Sequence, residues 1–177
     1  MNENELVKKA KSGDKEAFCR LYSLYKDRLY RYAYYRLGNV DDAQDAVSDC
    51  VVRAYEQIKN LRKAEAFPSW IFKILRAACS DYVKLQIKQR ESESLDTVKS
   101  SSDLFVTIDE SKTELRQALD TLSGDEREIV LLSVVAGFTS KEISKLTGLT
   151  AGSVRSKLSR SISKMRNFFG VMTNEEK

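Results

Sequence analysis

Apolar residues recur at three- and four-residue steps along most of this chain, and a single proline, Pro68, interrupts its 177 residues. That spacing places the apolar side chains on one face of an α-helix. Turn-forming residues are few, and no segment has the strict alternation of a half-buried strand. The pattern therefore predicts an all-α protein, and its helical stripes fall into two groups.

Charge divides the chain in the same way. Residues 1–90 carry a net charge of +6, residues 91–111 carry −5, and residues 112–177 carry +3. The middle segment is rich in serine and low in hydrophobicity, as flexible linkers are. We therefore predict two small helical domains, over 1–90 and 112–172, joined by a flexible acidic linker over 91–111 and followed by a tail over 173–177.

The segment from Thr139 to Arg166 has the pattern of a helix-turn-helix. Thr139 and Glu142 have the spacing of a capping box at a helix start. Gly148 suits the tight turn that follows, and Thr150 can cap a second helix. The inward stripe of that second helix is predicted to contain Val154, Leu158, Ile162, Met165 and Phe169.

The second helix of this motif is basic outside its apolar stripe. It has no acid between residues 151 and 169, so its outer surface suits the major groove and the phosphates of DNA. A plain solvated surface is the alternative. In such a helix the early residues reach base edges and other cations meet phosphates. The base-edge candidates are Ser153, Arg155, Ser156 and Arg160, and the phosphate candidates are Lys141, Lys157 and Lys164.

Three more helices are predicted before the linker, at about residues 14–37, 41–58 and 68–89. The second of them carries Asp42, Asp45 and Asp49 on one face, with Arg53 at its edge. Like charges at this spacing repel each other unless they are solvated or matched by a partner. The acidic ridge therefore predicts either a solvated face or a docking surface for a basic partner.

The third of these helices, with the connector before it, combines aromatic rings and cations. That combination can hold single-stranded DNA by stacking and by charge. For Trp70, packing in the helical core is an equal alternative. The candidate residues for this site are Arg62, Lys63, Trp70, Phe72, Lys73 and Arg76.

Composition excludes several function classes. The chain has no histidine, the commonest general base and metal ligand, and we predict neither a metal site nor a cofactor. Cys19, Cys50 and Cys79 lack paired spacing and are expected to be buried or half-buried thiols. No apolar run is long enough for a membrane span, and the first residues lack a signal-peptide core, so we expect a soluble cytoplasmic protein.

In their order along the chain, these motifs resemble the bacterial RNA polymerase sigma factors of the extracytoplasmic-function (ECF) group. The family's core-binding segment is similar to residues 45–51, its promoter-melting helix to residues 67–76 and 81–84, and its fourth region to residues 142–166. The resemblance implies that the acidic ridge binds core RNA polymerase. It also implies that residues 60–67 pocket a flipped base of melted promoter DNA, and that the helix-turn-helix reads duplex DNA at the minus-thirty-five element.

The same resemblance implies an anti-sigma factor as a further partner, no small-molecule substrate, and a linker that occupies the RNA channel of the polymerase. An ordinary solvated tether is the alternative for that linker.

Two other function classes stay open at this point. A stand-alone helix-turn-helix regulator would need a dimerisation surface, which the N-terminal half does not show. Residues 41–45 spell the Asp-Asp-x-x-Asp motif of magnesium-dependent prenyl-transfer enzymes, but no second carboxylate cluster accompanies it. Acids at a helix start also favour the helix dipole without any metal. We therefore expect no enzymatic activity.

Overall fold

The computed structural model describes residues 2–93 and 110–175, with side chains over 2–88 and 114–170. Within those ranges every regular element is helical, which confirms the all-α prediction. The contacts divide the chain into two compact units, Met1–Val83 and Lys84–Lys177. Most of the predicted acidic linker lies outside the described residues.

The N-terminal unit is a bundle of four helices. Two 3₁₀ turns, Ile58–Asn60 and Ala64–Ala66, form the connector before the last helix. That helix begins at Phe67, one residue before Pro68, where a missing N–H costs nothing. The helices are α1 (Glu3–Lys11), α2 (Lys15–Leu37), α3 (Val40–Gln57) and α4 (Phe67–Glu93).

Side chains at the helix ends explain where α2 and α3 begin. The carboxylate of Asp14 accepts a hydrogen bond from the Ala17 backbone N–H at 3.0 Å, and Asn39 caps α3 through the Asp42 N–H at 3.0 Å. Gly38 ends α2 with a φ of 73°, in the left-handed region where other residues are strained. These local signals fix α2 and α3 within one residue of their predicted bounds.

The core of the N-terminal unit is aromatic. Tyr25 packs edge-on against Phe67 with ring centroids 5.3 Å apart, and Tyr32 against Phe72 at 5.8 Å. Aromatic pairs in this arrangement contribute beyond the area they bury. Three of these four rings are fully buried and Tyr25 is 1% exposed, so these two pairs join α2 to the first turns of α4 inside the bundle.

The three thiols differ in exposure. Cys50 and Cys79 are buried as predicted, and burial raises the pKa of Cys50 to about 12. Cys19 is exposed on α2, so the prediction that it is buried or half-buried is wrong. It follows buried Phe18 along the helix, and consecutive helical residues point in directions about 100° apart.

The C-terminal unit contains the remaining helices. Its buried apolar residues come from every helix, with Leu119, Ile129, Leu132, Ile143 and Val154 each exposed by 2% or less. Ser123 and Glu126 form a capping box at the start of the second of these helices. The helices are α5 (Glu110–Asp120), α6 (Gly124–Val130) continued by a π-helical turn (Leu131–Val135), α7 (Ser140–Thr147) and α8 (Ala151–Glu175).

Candidate nucleic-acid interface

The turn between α7 and α8 has the geometry that its sequence predicts. The Glu142 carboxylate accepts hydrogen bonds from the N–H and the hydroxyl of Thr139 at 2.8 and 2.7 Å, which closes the capping box. Gly148 ends α7 with a φ of 77°. The Ser144 hydroxyl then donates to the Leu149 carbonyl at 2.7 Å, so a side chain satisfies a backbone group within the turn.

Helix α8 starts at the predicted cap and packs through a modified stripe. The Thr150 hydroxyl accepts the Ser153 N–H at 3.1 Å, and Val154 is fully buried. The next fully buried residue is Ser161, whose hydroxyl donates to the Lys157 carbonyl at 2.8 Å. Seven residues make two turns, so Ser161 shares the face of Val154. The remaining predicted stripe residues, Leu158, Ile162, Met165 and Phe169, are half-buried.

The first three turns of α8 present the predicted base-edge candidates to solvent. Ser153, Arg155, Ser156 and Arg160 are exposed, as is Lys141 on α7. The Arg160 Nε donates to the Ser156 carbonyl at 3.3 Å, which orients its side chain along the helix. A guanidinium held in this way keeps its remaining N–H donors for an acceptor outside the protein.

Two predicted phosphate contacts lie beside acids instead. The Lys164 Nζ donates to both carboxylate oxygens of Glu126, at 2.8 and 2.9 Å. The Lys157 Nζ is 4.0 Å from Asp125 Oδ2. The sequence of α8 has no acid between residues 151 and 169, but the first turn of α6 supplies two acids through tertiary packing.

Glu126 is bound on both sides. Its hydrogen bond with Lys164 and the one from the Ser123 N–H hold its pKa at about 2, below the ordinary glutamate value. One carboxylate thus caps α6 and anchors α8. Lys164 therefore links α8 to α6 through a charge-assisted hydrogen bond and is not an unpaired cation.

The N-terminal unit has an open pocket in its connector. The pocket has a volume of about 360 Å³. Arg62 and Lys63 are exposed at its edge, and Trp70 is half-buried in its wall. The Trp70 ring lies 5.8 Å from the Phe67 ring, tilted by 43°. The lining residues are Asn60, Leu61, Arg62, Lys63, Ala66 and Trp70.

Phe72 does not line this pocket, and its side chain is not accessible to DNA. Its side chain is fully buried against Tyr32, so the prediction that it stacks on DNA bases is wrong. Trp70 and Phe72 are two residues apart, which on a helix places them about 200° apart. Only one of the two can then face outward. Lys73 is exposed and Arg76 half-exposed on the same helix.

The acidic face of α3 is tied to α4. Asp45 is exposed, whereas Asp42 and Asp49 are half-buried. The Arg53 guanidinium lies 3.6 Å from Asp81 and 4.0 Å from Asp49. The Tyr82 hydroxyl donates to Asp49 at 3.5 Å. Burial, with these aspartates nearby, raises the pKa of Tyr82.

Helix α3 also exposes two apolar residues that are not among the predicted site residues. Val52 is 57% exposed and Tyr55 is 42% exposed. They follow the acidic residues along the same helix. The signal was present in the sequence, because neither residue belongs to the buried period that contains Cys50, Ala54 and Ile58.

Two kinds of feature are absent from the part of the chain that the structure describes. There, no group of three or more Cys, Asp or Glu side chains could hold a metal ion. No helix among the searched residues has the length and hydropathy of a membrane span.

In the comparisons with known proteins, a different family model matches each half of the chain. The family model described as "Sigma-70 region 2" matches residues 21–87, and the one described as "Sigma-70, region 4" matches residues 112–165. The first match contains the acidic ridge and the connector pocket. The second contains the helix-turn-helix.

Two relatives and one solved structure show the same likeness. The chain is 32% identical to the ECF RNA polymerase sigma factor EcfG of Rhodopseudomonas palustris, over 77% of this chain and 76% of that protein. It is 30% identical to the ECF RNA polymerase sigma factor BldN of Streptomyces coelicolor, over 85% of this chain and 60% of that protein. The sigma factor RpoE of Bartonella quintana, solved in complex with the anti-sigma factor NepR, matches with a TM-score of 0.69 at 23% identity, covering 87% and 97% of the two chains.

Proposed function

This chain belongs to the sigma-70 family of RNA polymerase sigma factors, within the ECF group, and we propose that it binds core RNA polymerase and directs it to a dedicated set of promoters. The observation that carries the proposal is the presence on one chain of two different surfaces whose chemistry suits DNA. One is an open connector pocket with a tryptophan wall. The other is a helix-turn-helix with exposed arginines.

The helix-turn-helix grips duplex DNA at the minus-thirty-five element. The start of α8 enters the major groove, where Ser153, Arg155, Ser156 and Arg160 meet base edges. An arginine can pair bidentately with guanine, which contributes roughly 1–3 kcal/mol of discrimination. Lys141 at the start of α7 meets a phosphate. Lys157 and Lys164 contribute mainly through their acidic partners.

The connector pocket holds one base of the melted minus-ten element. Flipping a base out of the duplex costs a few kcal/mol, which stacking and charge must offset. Trp70 supplies a ring in the pocket wall, and Arg62 and Lys63 meet the phosphates at its edge. Lys73 and Arg76 continue this cationic track along α4.

The outer face of α3 docks on the polymerase. Asp42, Asp45 and Asp49 meet a basic surface there, which increases the association rate and sets the register. Arg53 pairs with Asp49 on its own helix, and it links α3 to α4 through Asp81. Val52 and Tyr55 add apolar contact area beside the charges.

Family membership supports one further partner and a location. An anti-sigma factor occludes these surfaces when the chain is inactive, and the RpoE–NepR complex supports such a partner for this fold. The chain acts in the bacterial cytoplasm, where the polymerase works. It uses no small-molecule substrate.

We assign the chain no catalytic role. The Asp-Asp-x-x-Asp sequence lies in the first turns of α3, where Asn39 caps the helix through the Asp42 N–H at 3.0 Å. Acidic residues there favour the helix dipole. A stand-alone regulator remains the rival function, and it predicts tight DNA binding without polymerase.

Run-off transcription tests the proposal. Purified core enzyme is mixed with this protein and with DNA from upstream of its own gene, and promoter binding is measured with and without core. We expect a discrete transcript, co-elution with core, and strong DNA binding only as holoenzyme. Absence of both transcript and co-elution contradicts the proposal, and tight binding by the protein alone favours the rival.

A further inference from the structure

Helix α1 packs where it can control the connector pocket. It contacts α2 and both 3₁₀ turns of the connector, Ile58–Asn60 and Ala64–Ala66. Its inward residues Leu6, Val7 and Ala10 are 6%, 0% and 4% exposed. The connector residues Ile58, Leu61 and Ala64 are buried in the same unit. The backbone that forms the pocket edge therefore has α1 behind it.

Three aromatic rings, Tyr25, Phe67 and Trp70, form a row from the inside of the bundle to the pocket wall. The Tyr25 ring lies 5.3 Å from Phe67, and Phe67 lies 5.8 Å from Trp70. Tyr25 is 1% exposed and Phe67 is fully buried, so neither ring has room to move alone. Trp70 is therefore supported from inside the bundle.

Glu3, the first residue of α1, interacts with the first ring of this row. The Glu3 carboxylate interacts with the Tyr25 hydroxyl, and together with burial it raises the pKa of that tyrosine. The Arg28 guanidinium lies over the Tyr25 ring, 4.6 Å from its centroid. The tyrosine is thus held at its hydroxyl, at its ring edge and over one face.

We propose that α1 is a positioning element for base recognition: through its contact with the connector and through Tyr25 and Phe67, it holds Trp70 and the pocket edge in the geometry that accepts a flipped promoter base. Val7 and Tyr25 are the positioning residues. They touch no DNA, and they act by keeping the pocket rigid, because recognition weakens when its contacts must be ordered during binding. The inference rests on the proposed function and deepens the role of one site.

The test compares base discrimination with core binding in the intact holoenzyme. Discrimination is the ratio of transcription from a promoter that the protein uses to transcription from versions with single substitutions in the minus-ten element. The fluorescence of 2-aminopurine placed at each minus-ten non-template position reports the flipped base. Val7→Ala removes two buried methyl groups, and Tyr25→Phe removes only the hydroxyl.

Two control variants separate positioning from stability. Lys8→Ala changes an exposed residue of α1. Leu37→Val trims a buried residue at the far end of α2, about 18 Å along the helix from Tyr25. Thermal unfolding of every variant shows how much stability each one loses.

We expect Val7→Ala and Tyr25→Phe to lower discrimination by about fivefold, the lower end of what one base contact contributes. Core affinity should stay unchanged, and both controls should keep wild-type discrimination. Unchanged discrimination in both test variants overturns the inference, as does an equal loss in Leu37→Val. A wild-type protein that gives no transcript overturns the proposed function instead.

Discussion

Lys164 of α8 donates hydrogen bonds from its Nζ to both carboxylate oxygens of Glu126, at 2.8 and 2.9 Å, across 38 residues of sequence. The same carboxylate accepts the N–H of Ser123 at 3.0 Å. Because one side chain joins the cap of α6 to the recognition helix, the fold of this unit and the placement of its DNA-reading surface depend on a shared group.

The first prediction concerns acid stability. The folded-state pKa of Glu126 is about 2, below its ordinary value. The stabilisation is therefore present above the ordinary glutamate pKa, and it is lost as the pH falls towards 2. We expect Glu126→Gln to lower the free energy of unfolding at pH 7 by about 1 kcal/mol, with a smaller difference at pH 3. Denaturant unfolding followed by circular dichroism measures both values.

The control for this variant is Glu114→Gln, which changes an exposed glutamate of α5. It should unfold like the wild type at both pH values. Trp70 lies in the other unit, so its fluorescence should follow the same curve in all three proteins. A Glu126→Gln penalty of equal size at pH 7 and pH 3 would count against the assignment.

The second prediction separates two of the cations of α8, Arg160 and Lys164. Arg160 is exposed, whereas Lys164 is paired with Glu126. Arg160→Ala should weaken transcription from a promoter that needs its minus-thirty-five element by about tenfold, and Lys164→Ala by less than about threefold. Core affinity measured by co-elution should not change in either variant. Equal promoter use by wild type and Arg160→Ala would show that Arg160 makes no contact in the major groove.

Local signals in the sequence were enough for the helix ends. The capping boxes of α6 and α7 and the left-handed Gly148 involve residues no more than four apart from their partners. Short-range chemistry of this kind is readable without a fold. The helix-turn-helix was predictable for the same reason.

Tertiary contacts account for the errors. The acids that pair with Lys157 and Lys164 lie on α6, more than thirty residues earlier, and no pattern within α8 reveals them. Phe72 lies on a helix whose buried face is wide enough to include it, so composition alone could not assign its direction. Helix α1 is short and rich in charge, and its burial depends on the connector it covers.

The third prediction separates two aromatic residues of α4, Trp70 and Phe72. Phe72 is buried and Trp70 lines the pocket. Phe72→Leu should lower the free energy of unfolding by about 1 kcal/mol and leave promoter opening intact well below the unfolding midpoint. Trp70→Ala should keep most of the stability and lose most open complexes, measured by 2-aminopurine fluorescence. An equal loss of open complexes in Phe72→Leu, at a matched folded fraction, would contradict this division.

The fourth prediction tests the outer face of α3 as the polymerase contact. Val52 is 57% exposed beside the acidic ridge, and Leu24 is 55% exposed on α2, so Val52→Asp and Leu24→Asp make similar changes at similarly exposed sites. In the proposed interface Val52 lies in the apolar part of the contact and not against the basic surface, so a new carboxylate there is buried on docking without a partner. We expect Val52→Asp to weaken core binding by about tenfold or more, with Leu24→Asp close to wild type, as measured by fluorescence anisotropy with labelled protein. Neither variant replaces a buried side chain, so both should stay folded. Equal affinities for the two variants would place the polymerase contact on another face, because the only difference between them is the helix that carries the charge.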